Sequence, residues 1–348
     1  MNTIPKHKCI YCLQEKNENE FNREHVVPRM MGTYKNGFVL SDFQVCQECN
    51  TYFSEQLENG IALDSYEALL RMQHRDTPMS DGRKLIGDRI RLVGGEGIFK
   101  GILFTVVTDK SNPYRMRFDS EPMVGIIKSV ERQEYDYYLL EEIPEASEEV
   151  IKRMKESNQS IINTGIDRVL LEPVLIERGY LSKQFTYYEK SIYELYKESE
   201  FTTEINMKID SITQRVCAKT VFNYLCYSTS KEFVLDSRFD EIRDYIRYGN
   251  WSDRLWFRIS KGPVSTAEMP NDTAHAVGYM WYPENGQCFF CGCLTWFGDI
   301  TYVFKLGDSD QIVQEANGLY PTKLACFNNV DRTIKEDEAV HIFQKRQD

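Results

Sequence analysis

Two Cys-x-x-Cys pairs, Cys9/Cys12 and Cys46/Cys49, bracket the run Glu24-His25-Val26-Val27-Pro28, and Asn50 directly follows the second pair. Four thiolates suit a tetrahedral Zn²⁺, and each knuckle lets two sulfurs reach one ion from a single tight turn. Free buried thiols or a redox pair are the alternative, but two such pairs within fifty residues favour the metal. Glu24 and Asn50 offer hard oxygen ligands suited to Mg²⁺ or Mn²⁺. His25 has the side chain that can accept a proton from water near neutral pH. Water attack on a phosphodiester needs such a base, and a cation to stabilise charge building on the phosphate and leaving oxygen.

These residues need elements to bring them together. The gap between the cysteine pairs is longer than in a simple zinc ribbon, so a structure must be built inside it. Zinc would tie the start of the chain to the turn before a helix. That helix runs from Asn50 to about Arg71, with Phe53, Leu57, Ile61 or Ala62, Tyr66 and Leu69 or Leu70 at helical spacing, and Gly60 as a point of division. A strand bearing Glu24 and His25 would then lie across the helix's first turn, with carboxylate, imidazole and amide oxygen facing one another.

The segment resembles an HNH endonuclease module, the ββα-metal fold, in the version stapled by a four-cysteine zinc site. Glu24-His25-Val26-Val27-Pro28 matches that family's acidic-or-His, His, apolar, x, Pro signature, and Cys46-Gln47-Glu48-Cys49-Asn50 its C-x-x-C-[His/Asn] signature. The resemblance covers roughly the first 70 residues. It implies Glu24 as a ligand of the catalytic metal, His25 as general base and Asn50 as second protein ligand. Two positions depart from the pattern. The Asn that usually braces the loop carrying the base is replaced by Ser41, with Asp42 beside it, so one of these must do the bracing or the role is lost. Ser54 stands where many members carry a further His. Glu58, two turns along the same face, could help through water.

The whole chain has 348 residues with 42 basic and 53 acidic side chains, a formal charge of −11. That balance argues against a protein that coats nucleic acid non-specifically and leaves room for a local basic cleft. Residues 71–91 form such a strip, with Arg71, Arg75, Arg83, Lys84, Arg89 and Arg91 against three aspartates. It reads equally as a phosphate-tracking strip, with Arg71, Arg75, Arg83 and Lys84 as candidate nucleic-acid contacts, or as a solvated linker. No stretch approaches the ~18 apolar residues of a membrane span, and the polar start, Met1 to His7, lacks a signal segment; a cytoplasmic protein is expected.

Length and pattern give an α+β protein: an HNH module at 1–75, a linker at 76–97, and a mixed antiparallel-sheet and helix region at 98–348, divisible near 200. Residues 84–92 suggest a short edge strand. Strands at 102–107, 114–118, 124–130 and 135–140 read as one antiparallel sheet, and Ser147 caps a short helix. Residues 168–200 fit neither period. Helices are expected over Asn206–Tyr227 and Phe239–Tyr248, the second ending at Gly249. A β-meander follows over 276–306 through Asn285-Gly286 and Gly298-Asp299.

Cys288, Cys291 and Cys293 lie in an apolar run with no histidine nearby and only Cys326 as a conceivable fourth metal ligand, so they read as packing residues, as do Cys217 and Cys226. His74, His275 and His341 show no partner pattern. Lys219, inside an otherwise apolar helix, is either a snorkelling side chain or an anion contact.

The expectation is a metal-dependent endonuclease cutting double-stranded DNA, of a restriction or anti-phage defence type, with structural Zn²⁺ and a catalytic Mg²⁺ or Mn²⁺. Its C-terminal region would recognise a target or signal, and a homodimer would make double-strand breaks. A catalytically silent nucleic-acid-binding or scaffold protein and an RNA-directed nuclease are the rivals.

Overall fold

The computed structural model describes residues 5–74, 90–108, 116–157, 160–181, 202–264, 274–284, 287–307 and 322–337. Arg75, Arg83, Lys84, Arg89, His341 and the Asn285-Gly286 turn lie outside these. The described residues mix helices with antiparallel sheets, as an α+β chain should. No helix among them is long and apolar enough to cross a membrane.

The chain divides into two compact units, and not in sequence order. Met1–Thr77 and Ile209–Asp348 make one unit, and Pro78–Lys208 the other. This differs from the expected division at 75 and 98. The physical reason is a shared core. Tyr11, Val26, Leu40, Phe53 and Leu57 belong to one buried apolar cluster with Val221, Phe222, Phe239, Trp296 and Tyr302. A 70-residue module has too little interior of its own, so the C-terminal segment completes it.

In the first unit the strands Lys6–Lys8 and Glu15–Asn17 pair antiparallel, and Glu24–His25 pairs with Val39–Leu40. A bridge between Phe21 and Cys46 ties this start to the helix that follows. That helix runs α-helical over Gln47–Tyr52, widens to a π-helix over Phe53–Glu58, where the Asn59 N–H reaches Ser54 O, and returns to α over Asn59–Leu63. Gly60 is not the break. The break comes at Ser65, whose Oγ accepts the Ala68 N–H at 3.0 Å and caps the next helix, Tyr66–Gln73.

The helix Ser211–Ser228 starts later than expected because Asp210 caps it, accepting from Ile212 and Thr213 N–H, while Thr203–Met207 forms a strand. It is buried on nearly every side. One face lies on a six-stranded antiparallel sheet whose centre is the expected meander, His275–Glu284, Gln287–Trp296 and Ile300–Gly307. Gly292 permits that contact, since a Cβ there would stand 2.6 Å from Val221 Cγ1. Asp240–Tyr248 ends at Gly249 with φ +81°, as the sequence suggests.

In the second unit the four expected strands occur but split between two sheets. Leu103–Thr108 and Met116–Ser120 belong to a four-stranded sheet in which Ile90–Gly94 is interior, paired also with Thr203–Met207. Val124–Ser129 and Glu134–Tyr138 join Ile161–Asn163 in a second sheet. Helices Glu148–Glu156 and Arg168–Glu177 pack on its apolar residues. The latter carries exposed Val169, Leu170 and Ile176 beside buried Leu171 and Leu175, so apolar residues fall on every side and its sequence shows no helical period.

Candidate active site

The four cysteines converge. Their Sγ atoms all lie within 4.8 Å of one another, and Cys9, Cys46 and Cys49 are buried. Cys12 Sγ and Cys46 Sγ stand 3.8 Å apart, which is about the 3.8 Å edge of a tetrahedron with ~2.3 Å zinc–sulfur bonds. The first knuckle closes through Leu13 N–H to Cys9 O at 3.1 Å and Cys9 N–H to Gln14 O at 3.0 Å. The Cys46 N–H donates to Cys9 Sγ at 3.4 Å. Four soft donors in this geometry fit a structural Zn²⁺. Three side chains of the C-terminal segment hold the surrounding frame: buried Arg243 donates Nε to Ile10 O at 2.7 Å, Lys231 Nζ donates to Phe43 O at 2.5 Å, and Arg247 pairs with Glu48.

Glu24 and His25 are adjacent on a strand, so their side chains leave on opposite faces. Glu24 points into the protein and is 6% exposed. Its carboxylate meets the Lys219 ammonium, and its Oε1 accepts from Asn223 Nδ2 at 3.1 Å. Lys219 is fully buried, also reaches Glu58 Oε1 at 2.5 Å, and lies over the Phe53 ring. Burial pushes the Glu24 carboxyl above its usual range, against the pull of Lys219 and Asn223. Burial alone would discharge Lys219, but the two carboxylates outweigh it and hold the ammonium above its ordinary value.

His25 faces the other way, into a groove of about 270 Å³ lined by Arg23, Val27, Tyr34, Asn36, Phe38 and Phe327. Partial burial, together with the nearby Arg29 and Arg23 guanidiniums, lowers its pKa, so the ring is a neutral base at physiological pH. Asn50 lies at the strand's near end, its Nδ2 donating to Arg23 O at 3.0 Å.

The arrangement brings together the zinc ligands, and it seats His25 on an accessible groove with Arg23 beside it. It does not join Glu24 and Asn50 into a ready cation cage: the Glu24 carboxylate is already met by an ammonium, while the Asn50 amide gives its nitrogen to Arg23 O. As arranged, the Glu24 carboxylate does not fit a divalent ion. Among the described residues, the cysteines are the single cluster of three or more His, Cys, Asp or Glu suited to a metal. Arg71, expected at nucleic acid, donates instead to Met30 O at 3.2 Å and Ala62 O at 2.8 Å, clamping the module. Ser41 Oγ donates to Asp42 Oδ1 at 3.3 Å, and the Asp42 main-chain N–H donates to Gln44 Oε1 at 2.6 Å.

Residues 9–62 match the family model of the HNH endonucleases. The chain carries an N-terminal HNH domain. Comparison with curated proteins and with solved structures gave no match. An HNH domain points to a nuclease and so to a nucleic-acid substrate, and this one holds a four-cysteine cluster compatible with zinc.

Sequence reasoning passed over the partners of the HNH domain supplied by Ser211–Ser228. Arg215, Lys219 and Asn223 are four residues apart and form one buried stripe toward the domain. Arg215 donates to Tyr52 Oη at 2.6 Å, Lys219 meets Glu24 and Glu58, and Asn223 meets Glu24 and the His25 carbonyl. Lys219 therefore does not snorkel; it is the anion contact. A polar residue every fourth position in an otherwise apolar helix was the available signal. The remaining isolated residues behave as packing groups. Cys291, Cys293 and Cys326 sit in an apolar cluster, Cys217 and Cys226 are buried in the core, and His275 is buried.

Proposed function

We propose that this chain is a cytoplasmic endonuclease that hydrolyses double-stranded DNA, with His25 as its general base. The single observation behind this reading is the His25 imidazole opening on a groove beside Arg23, in an HNH domain with a four-thiolate cluster. In the groove His25 would take a proton from the attacking water. Arg23 and Arg29 would carry the growing charge on the phosphate, and as the P–O3′ bond breaks the leaving oxygen would take a proton from solvent. One such site cuts one strand, so a monomer nicks and a homodimer makes a double-strand break. Mg²⁺ or Mn²⁺ at Glu24 would first have to displace the Lys219 ammonium, and the steps above do not pass through it.

Because Ile209–Asp348 completes the catalytic unit, Pro78–Lys208 is the better candidate for recognising a target or signal. A separate recognition unit suits a restriction or anti-phage defence role.

The test is relaxation of supercoiled plasmid by the full chain with Mg²⁺, Mn²⁺ or chelator, beside His25→Ala. Loss of a general base should cost about 10²- to 10⁴-fold in rate. Equal rates in the two proteins remove His25 from the reaction. A wild-type protein that binds DNA without cutting it is the silent binder or scaffold. Parallel digestion of duplex DNA, single-stranded DNA and RNA decides the substrate.

A further inference from the structure

We propose that Asn223 is a positioning residue of this site, which fixes the strand carrying His25 from the far end of the chain. The proposal rests on the nuclease reading above. The strand Glu24–His25 has a ladder only two residues long, with Val39–Leu40 as its partner. So short a ladder holds its own main chain weakly, whereas a general base must be held to within about 0.5 Å. Asn223 supplies what the ladder lacks. Its Nδ2 donates to Glu24 Oε1 at 3.1 Å and to the His25 carbonyl at 3.3 Å, so one amide restrains a side chain and the neighbouring peptide together.

The amide is itself held. The His25 carbonyl can only accept, so the amide nitrogen faces the strand and Asn223 Oδ1 takes the Tyr11 hydroxyl hydrogen at 2.6 Å. Asn223 is fully buried and Tyr11 almost so, and no solvent can replace either bond. Tyr11 sits between Cys9 and Cys12, so the chain of bonds runs from the zinc knuckle through Asn223 to His25. The Ser41 hydroxyl is instead turned to Asp42 Oδ1, and the Asp42 main-chain N–H to Gln44 Oε1. Lys219, one helical turn before Asn223, grips the same Glu24 carboxylate. Rotation of the His25 peptide would swing the imidazole in its groove. Asn223 does not line that groove, so its removal alters the base and leaves substrate contacts in place.

The experiment uses the full chain as wild type, Asn223→Ala, Tyr11→Phe and the double variant, each checked for zinc content and thermal unfolding. NMR of isotope-labelled histidine rings, with His25 assigned by His25→Ala, reads the geometry without activity. Plasmid nicking reads the consequence. Asn223→Ala should shift or split the His25 ring signals and lower kcat about 10- to 100-fold with KM unchanged. Tyr11→Phe should cause a smaller fall that adds nothing to Asn223→Ala, because Tyr11 acts through the amide. Unmoved His25 signals in Asn223→Ala, or a loss carried wholly by KM, overturn the proposal. If Asn223→Ala does not fold, Tyr11→Phe decides by the same two readouts. A wild-type protein that fails to nick sinks the nuclease reading, while the ring signals still judge Asn223.

Discussion

Lys219 and Glu24 form an ion pair in which the ammonium has no exposed surface and the carboxylate almost none. A second carboxylate, Glu58, shares the same ammonium. Such a pair adds little net stability by itself, because desolvating both charges offsets their attraction. Removing one partner is another matter, since the survivor is then buried alone.

Lys219→Met should therefore destabilise the protein by about 3–5 kcal/mol, measured by urea denaturation at neutral pH. Adding Glu24→Gln to that variant should recover part of the loss by neutralising the stranded carboxylate. A single variant within ~1 kcal/mol of wild type would mean that water reaches the pair.

The cysteine cluster predicts a different signature. Cys49→Ser should lower bound zinc below one ion per chain by elemental analysis and loosen the N-terminal domain, whose small size makes metal binding part of its folding energy. Cys291→Ser is the control: its sulfur lies in an apolar cluster of the large sheet, so zinc content should stay at the wild-type value. Equal zinc in Cys49→Ser and wild type would remove the four-thiolate site.

How far the sequence reaches can be judged on the same residues. The knuckles, the Glu24-His25 strand and the helix after Cys46 were readable because each is a local pattern with a chemical reason. The meander strands and the Gly249 cap were readable for the same cause. The partner of Asn223 was not: its four-residue spacing from Lys219 marks a polar stripe on the helix, but nothing local says that the stripe meets a strand 199 residues earlier. The inward turn of Glu24 follows from strand alternation, yet the ammonium waiting for it is a tertiary fact. The helix after Cys46 ran further than Gly60 suggested because glycine only weakens a helix, whereas the Ser65 cap starts a new one.

Separation of the two ends of the first unit should be costly. Residues 1–77 expressed alone lose Lys219 at Glu24, Arg243 at the Ile10 carbonyl and Lys231 at the Phe43 carbonyl, together with the apolar surface of the Ser211–Ser228 helix. The fragment should show poorly dispersed amide NMR signals even with zinc added. A fragment with a dispersed, cooperative spectrum would show that the domain is independent after all. By the same argument, an internal deletion of Pro78–Lys208 closed by a flexible linker should retain zinc and fold, since that segment is a compact unit of its own.

His275 sets an acid limit on stability. Its ring is fully buried, its Nδ1 accepts the Phe297 N–H at 3.0 Å, and its Nε2 therefore carries the hydrogen that donates to Met31 O at 3.0 Å. Burial, with lesser repulsion from Arg332 and His74, outweighs the Met31 bond and lowers its pKa from 6.5 to about 3. The unfolded chain takes up a proton below 6.5 that the folded chain refuses until about 3. The neutral ring's contribution is thus complete above pH 6.5 and declines as pH falls through that window, at a limiting slope of about 1.4 kcal/mol per pH unit. His275→Gln should be less stable than wild type at pH 7.5, because a non-aromatic amide cannot reproduce both bonds and the ring contacts with Trp296 and Phe297. The stability difference between the two proteins should then shrink as the pH is lowered from 6.5 to 4.5, read by urea denaturation at each pH. A difference that stays constant across that range would show that His275 takes its proton as readily in the folded chain as in the unfolded one.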